Sequence, residues 1–394
     1  MQLVWADNVV RHTGGRVLVL TPLAVGKQTE READKFGFAA KVSRDGSIGN
    51  NPITITNYER LHYFNSSDFA GVVCDESSII KNCNGKIRKQ VTEFVRKLDY
   101  RLLCTATAAP NDWHELGTSS EALGELGFRD MITTFFKQEQ QGGGHAWGRT
   151  KYRFKPHAVR HFWRWVSSWA RAIRKPSDYG FDDNGFVLPP AVVTQHVVRR
   201  RNQRPGFLFP VVAKDLEEQR EERRATIKER SERVANLVAD KDYSVVWCHL
   251  NPEGDYLEKI ISGCVQVSGK DCDDAKEEKL LAFSSGEIRK IIIKPKIGAW
   301  GLNWQHCAHM TMFPSHSYEQ YYQGMHRCLR FGQHRAVCVD VVTTESEEGV
   351  TKNLQRKSDQ AGEMFSQLVA EMNNSIKISD ESEFPLQEDV PQWL

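Results

Sequence analysis

Short apolar runs recur along the chain, separated by polar stretches that carry helical spacing. In the first part they are Arg16–Leu20, Pro52–Thr56, Gly71–Cys74 and Arg101–Thr105. In the second they are Ser244–His249, Val265–Ser268, Lys290–Lys294, His309–Phe313 and Val337–Val342. β-rich runs alternating with helices predict strands of parallel sheets with helices layered against them. A chain of 394 residues exceeds what one core normally holds, so two such α/β domains are expected. The pattern divides into a first domain over 1–140, a basic and aromatic insertion with linker over 141–190, a second domain over 191–345, and a C-terminal helix with tail over 346–394. The insertion is opened by GGG and closed by LPP, and from Asp380 the tail has five acids and no base. Lys214–Arg233 reads as one solvated helix with seven basic and seven acidic side chains, including the i,i+4 pair Glu229–Arg233.

Composition narrows the class. With 40% hydrophobic and 26% charged residues the chain reads as a soluble globular protein, with no apolar run near the ~20 residues of a membrane span. No secretory signal opens it. Nine cysteines without a CxxC pair sit mostly in apolar runs, which predicts reduced, core-filling thiols in a cytoplasm and no zinc site. A net charge of +2 leaves nucleic-acid affinity to local patches.

Three segments carry candidate chemistry. The apolar run Gly71–Cys74 ends in Asp75-Glu76, and a buried parallel strand delivers its last residues to the ligand edge of the sheet. There one carboxylate can hold Mg²⁺ and the next can orient or deprotonate water. Ordinary acidic capping of a helix is the plainer alternative. Arg101–Asn111 ends a strand in Thr105-Ala106-Thr107, small hydroxyls that also suit a simple turn. The segment Lys296–Gln305 follows a strand with Gly298 and Gly301 for close backbone approach and Asn303 as an amide donor. Downstream, Gln323, Arg327, Arg330, Gly332 and Gln333 fall as Q-x-x-x-R-x-x-R-x-G-Q. Arginines three apart on a helix share a face, and paired guanidiniums suit a triphosphate. A solvated basic helix end is the other reading.

Taken in order, these segments resemble superfamily 2 helicases, specifically the Swi/Snf-like branch of bacteriophage and prophage genomes. VLVLTPLAV (Val17–Val25), ITNYERL (Ile55–Leu61), VVCDES, CTATAAPN, VVWCHLNPEGDYL (Val245–Leu257), IGAWGLNWQ and QGMHRCLRFGQ are similar to that family's motifs Ia, Ib and II to VI, over residues 1 to 345. The resemblance implies two RecA-like parallel-sheet domains in tandem and ATP hydrolysis coupled to movement on duplex or single-stranded DNA. It implies Asp75 on Mg²⁺, Glu76 on water, and Arg327 and Arg330 reaching the γ-phosphate across an interdomain cleft. Gly301, Asn303 and Gln323 would touch nucleotide or backbone, Thr105 and Thr107 would couple ATP state to domain closure, and Thr21, Pro22, Thr56 and Asn57 would contact strand phosphates. Phage replication or recombination proteins are the further partners it suggests, with the host cytoplasm as location.

The family's phosphate loop, G-x-x-x-x-G-K-S/T, has no match in the sequence. The expectation is a first domain truncated at its N-terminus, with the loop encoded upstream of a helix that begins at Met1. A separate polypeptide supplying the loop, or an ATPase-inactive nucleic-acid-binding protein, are the alternatives. In the insertion, His145–Lys175 carries nine Lys or Arg, no acid and seven aromatics. Phe162, Trp165, Trp169 and Ile173 are spaced as a core-facing stripe, leaving Arg164 and Arg171 for nucleic-acid phosphates.

Overall fold

The computed structural model describes residues 1–23, 25–82, 84–139, 151–199, 216–298 and 301–381, and divides into two compact units. One comprises Met1–Asp183 with Asp359–Leu394, the other Asn184–Ser358.

The first unit opens with α1 (Gln2–Thr13), β1 (Val17–Thr21), α2 (Gly26–Phe36), β2 (Ala40–Val42), β3 (Ile53–Asn57), β4 (Gly71–Cys74), α3 (Lys86–Val95) and β5 (Tyr100–Leu103). Its sheet runs β2-β3-β1-β4-β5, all parallel. β1, β3 and β4 are buried throughout, which is why their sequences are apolar without alternation. One face takes Leu3, Ala6 and Val9 of α1 against Val17, Val19, Ile55 and Val73. The other takes Val91, Phe94 and Val95 of α3 against Leu18, Leu20 and Val72. β5 closes the sheet as an edge, half-buried along its length.

The unit continues with α4 (Leu116–Leu123), α5 (Phe128–Phe135), β6 (Phe136–Glu139), β7 (Lys151–Phe154) and α6 (Val159–Trp169). An aromatic core holds them together: Phe135, Phe136, Phe162 and Trp163 are buried, and Phe154 stacks on Phe136 at 4.4 Å between ring centroids. The expected stripe is shorter than its spacing suggested. α6 stops at Trp169, so Ile173 lies beyond the helix and is 47% exposed, while Trp165 and Trp169 are half-buried. The GGG and residues 145–150 of the basic segment lie outside the described residues.

The second unit contains β8 (Ala191–Val198), α7 (Leu216–Ala225), α8 (Ile227–Val238), β9 (Ser244–Trp247), α9 (Asn251–Ile260), β10 (Cys264–Val267), α10 (Asp273–Ser285), β11 (Lys290–Ile293), α11 (Pro295–Gly298), β12 (His309–Met312), α12 (Tyr318–Met325) and β13 (Val337–Thr344). The order β10-β11-β9-β12-β13-β8 is again all parallel. α13 (Glu348–Glu381) starts in this unit, and its residues from Asp359 belong to the first, where Leu368 and Met372 join the aromatic core. The acidic tail beyond Glu381 lies outside the described residues.

The charged helix expected over Lys214–Arg233 is corrected in two respects. Its described part is two helices, broken at Thr226, and it is not solvated throughout; Lys214 and Asp215 lie outside the described residues. Arg230 is fully buried, with Nη2 2.8 Å from Glu253 Oε1, and Arg223 Nε donates to Glu347 at 2.7 Å. Burial is tolerated because each charge has an opposite partner.

Beside Glu253 lies His249, whose Nε2 is 2.8 Å from the Phe313 carbonyl. Burial pushes its imidazole down to about 4, against the pull of the Glu253 carboxylate. The unfolded chain, with His near 6.5, then binds the proton first, so folding stability is lost as pH falls from about 6.5 towards about 4. His249→Gln is expected to flatten that part of the melting-temperature profile between pH 7.5 and 4.5; an unchanged slope would show that other groups set it.

Of the cysteines, Cys74, Cys248, Cys307 and Cys328 are buried and free, Cys104 and Cys264 are half-buried, and Cys272 and Cys338 are exposed. No described helix is long and apolar enough to cross a membrane.

Candidate functional site

In the first unit the chemistry gathers at the C-terminal ends of β4 and β5. Asp75 follows β4, and its backbone is fixed on two sides: its N–H donates to Leu20 O at 2.8 Å and its carbonyl accepts from Tyr58 Oη at 2.6 Å. The half-buried carboxylate accepts from the Glu76 N–H at 3.0 Å and from Gln2 Nε2 at 2.5 Å. The first residue of α1 therefore stands against the strand-end acid. Glu76 adopts φ 51, the left-handed region, and is the non-glycine residue with positive φ among those described. A β-carbon is disfavoured there by about 1–2 kcal/mol, and such strain collects at functional positions. The next peptide is held by Ser77 N–H on Cys104 O at 2.8 Å.

Two hydroxyls beside these acids in sequence are buried and have no hydrogen-bond partner among the described residues: Ser78 Oγ and Thr107 Oγ1. Thr105 Oγ1 accepts from the Thr107 N–H at 3.0 Å, so the pair forms a local turn with one hydroxyl spent and one left. A buried hydroxyl without a partner is a destabilising feature unless something else binds it.

The residues expected at nucleic acid are turned differently. Thr21 Oγ1 faces Thr56 O at 3.4 Å, Thr56 Oγ1 donates to Ser43 O at 2.9 Å, and Asn57 Oδ1 caps the next turn through Arg60 N–H at 3.1 Å. All three side chains are buried and used by the fold, and Pro22 is half-buried. Tyr58, next to Asn57, is the residue that sequence reasoning passed over. Its hydroxyl ties this turn to the Asp75 carbonyl, and a buried Tyr needing a polar partner was the available signal. Tyr58→Phe removes that donor and is expected to lower stability by about 1 kcal/mol in urea unfolding.

In the second unit Gly298 follows β11 where a β-carbon would come 2.4 Å from Ile293 Cδ1, so only glycine fits. Gly301 has φ 69, and Asn303 Oδ1 is buried without a partner among the described residues. α12 ends at Met325, so Arg327 and Arg330 lie in turns past the helix, not on its face as the spacing suggested. They converge through Leu302 O, which accepts from Arg327 Nη1 at 3.2 Å and Arg330 Nη1 at 2.9 Å. Arg327 is buried, with Nε on Gln323 O and Nη2 on Gln323 Oε1, both at 2.9 Å. Gln323 is itself buried, and Arg330 is the half-exposed member. Gln333 Nε2 donates to Gln305 O and Cys307 O, binding this segment to the one after β11.

Phe331 was also missed. It is 63% exposed, stacks on the 53% exposed Phe186 at 5.5 Å, and has its carbonyl held by Gln305 Nε2 at 3.2 Å. An apolar residue inside an otherwise polar motif was the signal. In the insertion Arg164 is exposed on α6, whereas the exposed Arg171 has Nη1 on the carbonyls of Ser167 and Ala170, closing the end of that helix.

Two all-parallel α/β sheets in tandem match the RecA-like domains of superfamily 2 helicases. The chain is similar in structure to S. cerevisiae Dbp5 bound to RNA and ADP BeF3, with TM-score 0.54 and 10% identity over 93% of this chain and 81% of that one. A Dbp5 variant bound to RNA and ADP BeF3 gives TM-score 0.52 at 12% identity over the same shares. Mycobacterium smegmatis helicase Lhr bound to ssDNA and AMP-PNP gives 0.46 at 13% identity, over 88% of this chain and 42% of that one. No family model matches the sequence, and no curated protein does.

Proposed function

We propose that this protein is a nucleic-acid-dependent ATPase, a DNA translocase or helicase of the Swi/Snf-like phage branch. The observation that carries the reading is the Asp75-Glu76 pair, set at the C-terminal edge of a parallel sheet with Glu76 held in a strained conformation. Mg²⁺ suits Asp75 as a hard oxygen ligand that keeps its remaining positions for phosphates and water. Among the described residues no three His, Cys, Asp or Glu gather as a protein-only cage, so nucleotide oxygens complete the sphere. The ion neutralises charge on the phosphates when bound. Glu76 orients the attacking water and takes its proton, and the Ser78 and Thr107 hydroxyls are available to the nucleotide or to that water. Arg330 supplies the positive charge that the leaving and transferring groups need, with Arg327 and Gln323 holding its turn. Phe331 offers a face for the base.

Nucleic acid meets the exposed arginines of α6 and the main chain around Pro22. The test is ATP hydrolysis by the purified chain with and without DNA. Turnover stimulated by DNA and removed by Glu76→Gln supports the reading; no turnover and no nucleotide binding overturns it.

A second reading, an ATPase-inactive nucleic-acid-binding protein or subunit, is favoured by the missing phosphate-loop sequence and by the edge position of β5, where another polypeptide can add a strand. In that case DNA binding persists without turnover.

A further inference from the structure

We propose that the outward face of the β6–β7 hairpin is a second contact for the nucleic-acid sugar–phosphate backbone, gripped by Lys137 and Arg153. This rests on the nucleic-acid reading above and adds a site to it. The two strands pair antiparallel with Lys137 directly opposite Arg153. Directly opposed side chains of an antiparallel pair have β-carbons roughly 4.5–5.5 Å apart, and like charges there are destabilising. Both residues are exposed. A two-stranded ribbon is marginal by itself, so such a rung is a poor choice for stability alone.

The inner face explains how the hairpin tolerates it. Phe136 and Phe154 stack on each other and meet Phe162 of α6 at 5.5 and 5.0 Å, and Tyr152 lies 5.1 Å from His114. The aromatic core anchors the ribbon and leaves the outer rung to a different task. Lys155, one residue past β7, shows the contrast: its Nζ donates to Thr133 O at 2.6 Å and Thr134 O at 3.2 Å, a helix-end role that uses its charge within the fold.

The chemistry of the occupant follows from the surrounding charge. Between positions 140 and 177 the sequence contains no Asp or Glu, and the same stretch supplies the exposed Arg160 and Arg164 of α6. Basic groups spread over a hairpin and a neighbouring helix, without interleaved acids, fit a long polyanion with regularly spaced charges. Each phosphate neutralised by a Lys or Arg releases counterions, so the contact is expected to be salt-dependent and indifferent to base sequence.

The rung itself offers the decisive substitution. Lys137→Glu sets opposite charges across the strands, so the chain is expected to melt at or above the wild-type temperature while binding a fluorescent oligonucleotide about tenfold more weakly at 0.1 M salt. The slope of log K against log salt is expected to fall by about one. Lys137→Gln, with no charge to rearrange, is expected to weaken binding less, and Lys137→Arg to retain it. If wild-type protein binds, Arg164→Glu weakens it and Lys137→Glu binds as well as wild type, the hairpin contact is wrong and the broader reading stands. If wild-type protein binds no oligonucleotide, both fall. Displacement by polyglutamate as effective as by unlabelled oligonucleotide would also overturn the proposal, since it would mark a surface for acidic peptides.

Discussion

Arg330→Ala is expected to lower DNA-stimulated ATP hydrolysis by about 10³- to 10⁵-fold with little change in the melting temperature, whereas Arg327→Ala is expected to lower both. The two arginines share a motif but not an environment. Arg327 is buried and makes bonds to the Gln323 carbonyl, the Gln323 amide oxygen and Leu302 O. Removing it leaves buried acceptors without their donor, a loss of about 1–3 kcal/mol for each left unsatisfied. Arg330 shares the Leu302 carbonyl but is half-exposed, so its truncation leaves that carbonyl still served by Arg327. The assay is steady-state hydrolysis at saturating DNA, read beside thermal melting of each variant. Arg330→Lys separates charge from geometry, because an ammonium lacks the planar fork and is expected to recover only part of the rate. Equal loss of stability in both variants would show that Arg330, too, is a structural group.

That division between neighbours was not legible in the sequence, and the reason is physical. Spacing reports which residues share an element, and it located nine strands to within two residues because a strand buried on both faces must be apolar. It missed β2, which is three residues long, and β8, an edge strand whose Val192 and Val193 are about half exposed. β6 and β7 were missed because each is short and their residues alternate with charge. Side-chain direction is a further step removed. Thr21, Thr56 and Asn57 have the residue types of phosphate contacts, yet their polar atoms close hydrogen bonds within the first sheet. The same types serve caps and turns as readily as ligands, so only the partner atoms decide. Asp75 and Glu76 were legible because two carboxylates at the end of an apolar run have few structural uses. The strain at Glu76 was not, since no residue type announces a positive φ there.

Charge runs are the least legible of all. The segment around Arg230 reads as a solvated helix, but Arg230→Met is expected to destabilise the protein by about 3–5 kcal/mol, a large share of an ordinary stability of about 5–15 kcal/mol. The guanidinium is fully buried, 2.8 Å from Glu253 and over the Phe313 ring at 4.6 Å. Removing it strands the Glu253 carboxylate, which also accepts from the His249 and Leu250 N–H groups at 2.9 and 2.8 Å. Glu253→Gln keeps an acceptor for those amides while stranding the arginine instead. The double variant removes both charges, so its loss in urea unfolding is expected to be smaller than the sum of the single losses, by about 1–3 kcal/mol. Additive losses would mean that the pair is not coupled and that packing against Phe313 dominates. The consequence reaches the candidate site, because the segment from Phe313 to Ser317 leads into α12 and the turns bearing Arg327 and Arg330. Arg223 Nη2 on Pro314 O at 2.6 Å and His249 on Phe313 O hold that segment from the same side. Arg230→Met is therefore expected to reduce hydrolysis at temperatures where the chain is still folded, and the Arg230→Met/Glu253→Gln pair to recover part of it.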